Sequence, residues 1–189
     1  MGMKKLLAAM FVALLMVGCG DVTVDVEDLE YRNGVKYLPN EKTPFTGKAE
    51  SFYENGQKKG EVNFKDGKED GLFRWWGENG QKEAEGTYKE GKEDGSATYW
   101  GENGQKEAEG TYKEGKEDGL WTFWYENGQK KWEWNYKDGK LWTAIGWKPN
   151  GEKCPESNIK DWNGVWVLYD DDGTVSHRRT YKDGEIVFD

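Results

Sequence analysis

The chain has 189 residues, of which 33% are charged and 15% are aromatic, and its formal net charge is −9 at pH 7. Such acidity should repel nucleic acid and anionic lipid head groups, so the sequence predicts no nucleic-acid partner. A charged fraction this large is typical of disorder, but the aromatic content and a strict internal repeat favour an ordered array.

The N-terminus, MGMKKLLAAMFVALLMVGCG, has two lysines, an apolar stretch over residues 6–17 and then small residues. The stretch is too short for a membrane-spanning helix and is typical of an export signal. Residues 16–19, Met-Val-Gly-Cys, resemble the lipobox of bacterial lipoproteins, in which the cysteine is lipidated and becomes the mature N-terminus. The sequence therefore predicts a lipoprotein signal peptide over residues 1–18 and lipidation of Cys19. An ordinary secretory signal with an incidental cysteine is the alternative.

The lipobox resemblance also implies a location in the cell. Gly20 follows the cysteine, in place of the aspartate that in many Gram-negative bacteria retains a lipoprotein at the inner membrane. We therefore expect an exported protein anchored in a membrane through Cys19, with the outer membrane favoured if the host is Gram-negative. Loss of Lys4 and Lys5 on processing would leave 25 basic and 36 acidic residues, a formal charge of −11.

A repeat with a period of 24 residues occupies most of the remaining chain. The stretch WGENGQKEAEGTYKEGKEDG at residues 76–95 returns unchanged at residues 100–119. Asn-Gly pairs recur with the same period, at residues 55–56, 79–80, 103–104 and 127–128. Residues 44–189 therefore form about six units, of which the fifth is degenerate. Residues 19–30 are expected to be an acidic tether and residues 31–43 an N-terminal cap.

Each unit predicts a β-hairpin, because Asn-Gly between alternating segments favours a type I′ turn with positive φ at both central residues. With residues 79–80 as a two-residue loop, Trp75 lies opposite Ala84. The same register places Phe73 opposite Gly86, so that a large side chain faces a small one. It gives the further pairs Tyr99–Ala108, Ala97–Gly110, Phe123–Trp132 and Trp121–Trp134. The predicted fold is all-β: an elongated, single-layer antiparallel sheet of stacked hairpins, twisted or coiled.

The segments FYENGQKKGEVNFKDGKEDG and FWYENGQKKWEWNYKDGK resemble MORN-variant repeats, which occur in bacterial proteins commonly labelled YwqK-type antitoxins. The resemblance covers most of the mature chain and implies an elongated single-layer sheet of hairpins. It also implies an antitoxin or immunity function, in which the acidic surface would cover a basic toxin. The family is recognised by its repeat and not by a shared active site. The resemblance therefore supports the fold more strongly than the function.

Catalytic chemistry has little support in the sequence. The lone His177, beside Arg178 and Arg179, is expected at the surface, while Cys154 is expected to be a small buried side chain. The repeated Glu-Asp-Gly turns are a weak calcium candidate, but they lack the alternating ligands of an EF-hand and are typical of solvated turns. The sequence therefore predicts no catalytic residue, no metal site and no cofactor.

Five aromatic residues occupy the same place in their units and define the aromatic ladder: Phe52, Trp76, Trp100, Trp124 and Tyr169. The predicted register places them on the face opposite Phe73 and Trp75, with Lys59, Glu83, Glu107 and Lys131 as cross-strand partners. Successive rungs would lie about 9–10 Å apart, since each unit adds two strands. The ladder is either a platform for protein or glycan contact, or a device that shields neighbouring units in a sheet without a second layer.

Three classes of function compete. The first is a non-enzymatic, lipid-anchored repeat protein of the bacterial cell envelope that binds an unknown protein, or in a variant of this hypothesis a glycan, through its sheet. The second is an antitoxin or immunity protein that binds and neutralises a toxin, which an adjacent toxin gene would indicate. The third, an enzyme, would need a converging cluster of titratable groups, and none is visible.

Overall fold

The computed structural model describes residues 22–170 and 172–187. The predicted signal peptide and the predicted lipidation site at Cys19 lie outside these residues. Sixteen β-strands and one short 3₁₀ helix (Val26–Asp28) make up the regular structure of the described chain. No helix within the two described ranges is long and apolar enough to span a membrane.

The strands follow one another along the chain with short connections. The first four are β1 (Thr23–Asp25), β2 (Glu30–Arg32), β3 (Val35–Tyr37) and β4 (Gly47–Phe52). The next eight are β5 (Lys58–Lys65), β6 (Lys68–Trp76), β7 (Lys82–Lys89), β8 (Lys92–Trp100), β9 (Lys106–Lys113), β10 (Lys116–Trp124), β11 (Lys130–Lys137) and β12 (Lys140–Trp147). The last four are β13 (Lys153–Lys160), β14 (Asn163–Tyr169), β15 (Val175–Lys182) and β16 (Glu185–Val187).

Fourteen strands form one open sheet in the order β1, then β4 to β16, while β2 and β3 form a separate two-stranded sheet. Each strand from β4 onward pairs antiparallel with the next one in the chain. The structure thus confirms the predicted all-β fold, a single sheet of stacked hairpins.

The N-terminal end of the sheet corrects one expectation. Strand β1 pairs in parallel with β4, with Thr23 opposite Lys48, and Leu29 is buried with Phe45 in the apolar core. The described part of residues 19–30 is therefore not a free tether, because its apolar side chains cover the first hairpin of the array. The hairpin of β2 and β3 lies beside this end, where the Lys36 N–H donates to the Gly67 carbonyl at 2.8 Å.

The predicted register is confirmed in all three central hairpins. Trp75 lies opposite Ala84 and Phe73 opposite Gly86, and the pairs predicted in the next two hairpins are also present. The small residues are needed for space. A Cβ atom on Gly86 would lie 2.7 Å from a ring carbon of Phe73, so the aromatic ring takes the place of a side chain on the neighbouring strand.

The Asn-Gly turn differs from the predicted type I′ turn. Gly80 has a φ of +78°, but Asn79 is not among the residues with positive φ. The Gly80 N–H donates to the Gly77 carbonyl at 2.8 Å, and the Gly77 N–H donates to the Gln81 carbonyl at 2.9 Å. This pattern describes a three-residue loop, a type I turn followed by a left-handed glycine. The Asn79 side chain contributes by accepting from the Gln81 N–H at 2.9 Å.

The two-residue loops with positive φ lie instead at the return turns between units. Glu90 and Gly91 have φ values of +51° and +82°, and the flanking Lys89 and Lys92 pair directly. Both central residues are thus left-handed, as a type I′ turn requires. The same conformation recurs at residues 33–34, 66–67, 114–115, 138–139, 161–162 and 183–184. Each unit thus has two turns, and the type I′ conformation predicted for the Asn-Gly turn lies at the return turn instead.

The face that carries Phe73 and Trp75, called the core face below, holds the apolar core of the sheet. One cluster at the N-terminal end contains Leu29, Phe45, Ala49, Val62, Phe64, Phe73 and Ala84, and one at the C-terminal end contains Leu141, Ala144, Ile159 and Trp166. Aromatic contacts lie between them: the Trp121 ring is 4.9 Å from Tyr112 and 6.1 Å from Phe123, measured between centroids.

Candidate functional site

The aromatic ladder lies on the face opposite the core, at the strand ends that lead into the Asn-Gly loops. Phe52 is 48% exposed, and the other four members are half-buried. Their predicted cross-strand partners were wrong by one residue, since the three-residue loop introduces a β-bulge beside each ladder position. The observed pairs are Phe52–Lys58, Trp76–Lys82, Trp100–Lys106 and Trp124–Lys130.

These lysines connect one unit to the next. The Lys58 ammonium lies 5.6 Å from the ring centroid of Trp76, and the Lys106 ammonium lies 5.4 Å from that of Trp124. A lysine of each unit therefore covers the indole of the following unit, at a distance that permits a cation–π interaction. Each lysine also pairs with the glutamate three residues later, as in Lys58–Glu61 at 3.1 Å and Lys106–Glu109 at 2.5 Å.

The sequence missed one rung of the ladder. Trp147 pairs with Lys153 at the start of the fifth loop, and the Lys130 ammonium lies 5.1 Å from its ring centroid. A search at a period of 24 residues does not find this residue, because Trp147 follows Trp124 by 23 residues. The signal that could have found it is the loop itself, since Asn150-Gly151 follows Trp147 at the usual offset.

Tyr169 occupies the last rung but has a different partner. Its hydroxyl lies 2.9 Å from Sγ of Cys154, which is 2% exposed. The hydrogen bond to Cys154 is the largest cause that raises the pKa of Tyr169 to about 12. Cys154 is therefore a small buried side chain within the last hairpins, as predicted. The Tyr169 hydroxyl is engaged in the contact with its sulfur.

The first two units carry a charge network next to the ladder. Arg74 donates to Glu61 and to Glu85, each at 2.6 Å. Burial raises the pKa of Glu61, but the hydrogen bonds from Arg74 and Lys58 outweigh it and hold that pKa below its usual value. Thr98 and Thr122 stand in the place of Arg74 in the next units. The guanidinium that links two glutamates at the N-terminal end of the ladder face is thus replaced by hydroxyl groups at its centre.

A second substitution pattern runs along the loop edge of the ladder. The Tyr53 hydroxyl donates to the Trp76 carbonyl at 2.8 Å, and the Lys59 ammonium lies 5.6 Å from the Tyr53 ring centroid. The fourth unit repeats this pair with Tyr125 and Lys131. The two middle units have glycine and glutamate instead, at Gly77, Glu83, Gly101 and Glu107. The middle of the loop edge is consequently acidic.

The repeated Glu-Asp-Gly carboxylates have a structural explanation. The Asp94 carboxylate accepts from the Glu114 N–H at 3.1 Å, and Asp70 accepts from the Glu90 N–H at 3.3 Å. Each aspartate thus supports the return turn of the following unit. Within residues 22–170 and 172–187, no three His, Cys, Asp or Glu side chains converge on a position that could hold a metal ion. His177 is exposed, and its Nδ1 lies 3.3 Å from the Ser176 hydroxyl.

Comparison with known proteins identifies the repeat. A family model described as "MORN repeat variant" matches four consecutive segments, residues 45–66, 69–90, 93–114 and 117–138. No curated protein matches the chain. A solved structure titled "Crystal structure of GtfA/B complex bound to UDP and GlcNAc" contains a chain with 14% identity and a TM-score of 0.24. The match covers 76% of the present chain and 27% of that chain, so the present chain spans about a quarter of its length.

Proposed function

We propose, from the premise that this chain is a MORN-variant repeat protein, that it is a lipid-anchored, non-enzymatic protein of the bacterial cell envelope that binds a protein partner. Repeats of this family generally serve as non-catalytic protein- or surface-binding modules. The finer parts of the proposal are the anchor, the envelope location, the kind of partner and the face that meets it.

The observation that carries the proposal is the ladder of aromatic rings at one-unit intervals, on a face that no second sheet of the described residues covers. Its members are accompanied by lysines and glutamates in ion pairs. Aromatic side chains surrounded by charged ones are typical of the residues that dominate protein interfaces. Because the rungs repeat, a partner could contact several units at once, and a few rings would supply most of the binding energy.

The anchor rests on the lipobox resemblance of residues 16–19. A lipidated Cys19 would hold the sheet at a membrane, since more than one acyl chain makes anchoring stable. Cys19→Ser should release the chain from membranes, as measured by fractionation and by mass spectrometry of the N-terminus. An unprocessed, unlipidated wild-type chain in the cytoplasm would contradict the envelope location.

The ladder is tested by comparing two variants for melting temperature and for partner capture from native membranes. Trp75→Ala should lose on the order of 3 kcal/mol in stability, because Trp75 fills the space above Gly60. Trp76→Ala with Trp100→Ala should keep most of the fold and lose capture. If this double variant unfolds as readily as Trp75→Ala, the ladder is a structural layer and the proposed binding face is wrong.

An antitoxin or immunity function is the second candidate, and the acidic loop edge favours it. Glu83 and Glu107 replace the lysines of the flanking units, which would suit a basic toxin. Co-expression with the product of an adjacent toxin gene should then restore growth. The same rescue should weaken in a variant with Glu83→Lys and Glu107→Lys, while unchanged rescue would place the toxin contact elsewhere.

A further inference from the structure

Three glutamates form a row of carboxylates on the core face. Glu69, Glu93 and Glu117 recur at one-unit intervals and are half-buried. Each lies directly opposite an aromatic residue of the neighbouring strand, namely Phe64, Tyr88 and Tyr112. No ion pair among the described residues includes any of the three glutamates. They are called the carboxylate row below.

The electrostatics of the two faces therefore differ. Burial raises the pKa of Glu93, and repulsion by Glu117 raises it further. On the ladder face, by contrast, Glu85 accepts from Arg74 at 2.6 Å and from Lys82 at 3.0 Å. On the ladder face, Glu61, Glu85, Glu109 and Glu133 each have a lysine partner, whereas the three glutamates of the carboxylate row have none among the described residues.

The surroundings of the carboxylate row suit a positively charged group. Tyr88, Tyr99 and Tyr112 are half-buried beside it, and the Tyr99 and Tyr112 hydroxyls lie 3.4 Å apart. Aromatic rings next to carboxylates attract ammonium and guanidinium groups by charge and by cation–π interaction. The described chain forms one sheet layer here, so no second sheet of these residues covers the rings.

The row has a defined length. Phe45 stands in the same place one unit before Glu69, and Leu141 stands in it one unit after Glu117. Both are buried in the apolar clusters. A ligand that follows the row would therefore meet three negative positions between two apolar ends.

The spacing of the row selects the conformation of that ligand. One unit adds two strands, so successive carboxylates lie about 9.6 Å apart. A polyproline II helix advances about 9.3 Å over three residues and turns once, so every third side chain points the same way. The difference amounts to only about 0.6 Å over the whole row. A β-strand of similar length would point alternate residues away, and would not present every third side chain to one surface.

We propose that the core face between Phe45 and Leu141 binds a polyproline II segment of another protein with a lysine or arginine at every third position. The three basic side chains would meet Glu69, Glu93 and Glu117. One proline of each turn would pack on the tyrosine rings, since successive side chains of a polyproline II helix point about 120° apart. A second copy also carries exposed lysines at one-unit intervals, namely Lys68, Lys92 and Lys116, and the test below therefore includes self-association as an outcome. The inference uses the face opposite the ladder and is independent of the proposed function.

The test is calorimetric titration of the full-length chain in detergent with an end-blocked peptide of three Pro-Pro-Lys repeats. Two further peptides serve as controls: three Pro-Pro-Pro-Lys repeats, which break the spacing, and three Pro-Pro-Glu repeats, which reverse the charge. We expect saturable binding of the first peptide, at least about tenfold weaker binding of the second, and none of the third. Equal affinity for both lysine peptides would overturn the spacing argument and with it the proposal.

Two triple variants with the same net charge locate the site. Glu69→Gln, Glu93→Gln and Glu117→Gln together should weaken binding at least about tenfold, and should leave the fold intact because no ion pair is removed. The matched control changes Glu78, Glu102 and Glu126, which are exposed in the Asn-Gly loops, to glutamine and should bind like the wild type.

Equal loss of binding in both triple variants would mean diffuse attraction to an acidic chain. Self-association that only the first triple abolishes would assign the row to a second copy. Either result would contradict the proposal.

Discussion

The Lys82 ammonium lies 5.1 Å from the ring centroid of Trp100, a residue of the following unit. The same ammonium pairs with Glu85 at 3.0 Å within its own unit, so one side chain serves two hairpins. In a repeat array, each unit gains stability mainly from its direct neighbours. The lysine is therefore part of the interface between units, and its mutation should change the contribution of Trp100 to stability.

A double-mutant cycle with Lys82→Ala and Trp100→Ala should give a coupling energy of about 0.5–1 kcal/mol, as expected of an exposed cation–π pair. Urea unfolding of the four proteins measures it. Lys89→Ala paired with Trp100→Ala is the control, since Lys89 lies at the other end of β7, beside the return turn, and should not couple to the indole. A coupling energy near zero for Lys82 would mean that the lysine covers the ring without stabilising it.

Gly110 in strand β9 and Gly101 in the loop before it differ in the space that a side chain would find. A Cβ atom on Gly110 would lie 2.2 Å from a ring carbon of Trp121. One on Gly101 would meet the end of the Glu107 side chain at 2.4 Å and the Asn103 side-chain oxygen at 3.4 Å. Gly110→Ala should destabilise the protein by about 1–3 kcal/mol, because the buried Trp121 ring has little room to move. Gly101→Ala should cost much less, since the carboxylate can rotate away. Similar melting temperatures for the two variants would contradict the packing of Trp121 on Gly110.

The return turns predict a stabilising substitution. Glu90 is held at a φ of +51°, a left-handed conformation that asparagine adopts more readily than glutamate. Glu90→Asn should therefore stabilise the protein by about 0.5–1 kcal/mol, although it removes the exposed ion pair with Lys68. Glu78→Asn is the control, because Glu78 lies in the Asn-Gly loop at negative φ and gains nothing. Thermal melting of both variants distinguishes the two turn types, and loss of stability on Glu90→Asn would contradict the assigned type I′ turn.

The sequence predicted the register of the sheet because large and small residues alternate across each hairpin, as Trp75 and Ala84 do. It could not assign the two turn types, since Asn-Gly and Glu-Gly both favour a hairpin and differ only in whether the loop has two or three residues. That one-residue difference moved the partner of Trp76 from Glu83 to Lys82. Strand β1 was missed because three residues carry too short a pattern to separate a strand from a linker. Lipidation of Cys19 stays a prediction.

The pH dependence of stability should change sign between the two faces. Burial, followed by repulsion from Glu117, raises the pKa of Glu93. The folded protein therefore binds this proton more tightly than the unfolded chain, and Glu93 costs stability as pH rises from its unfolded pKa through its folded pKa. Glu93→Gln should raise the melting temperature at pH 7, and the gain should vanish at acidic pH, where the wild-type carboxyl is protonated.

Glu85 provides the opposite case. The hydrogen bond from Arg74, and then that from Lys82, lowers its pKa. Its contribution to stability is therefore present above the unfolded pKa and is lost as pH falls through the folded pKa. Glu85→Gln should lower the melting temperature at pH 7 and have little effect at the acidic end. Melting curves between pH 3 and pH 8 test both variants, and parallel shifts of the same sign would contradict the difference between the faces.

Deletion of one whole unit, residues 71–94, should leave a folded and slightly shorter sheet. The cut joins Asp70 to Gly95, so Asp70 takes the place of Asp94 as the carboxylate that accepts from the Glu114 N–H. The cut removes most of β6, all of β7 and the first three residues of β8. Residues 68–70 then continue into residues 95–100 as one strand, which pairs with β5 in the direction and with the face that β6 had. A deletion of twelve residues, 71–82, removes one strand and reverses the direction of everything that follows. Because antiparallel pairing and the core face both depend on that direction, the shorter deletion should be the more damaging one. Circular dichroism and thermal melting compare the two proteins, and equal stability would mean that the hairpin is not the unit of this array.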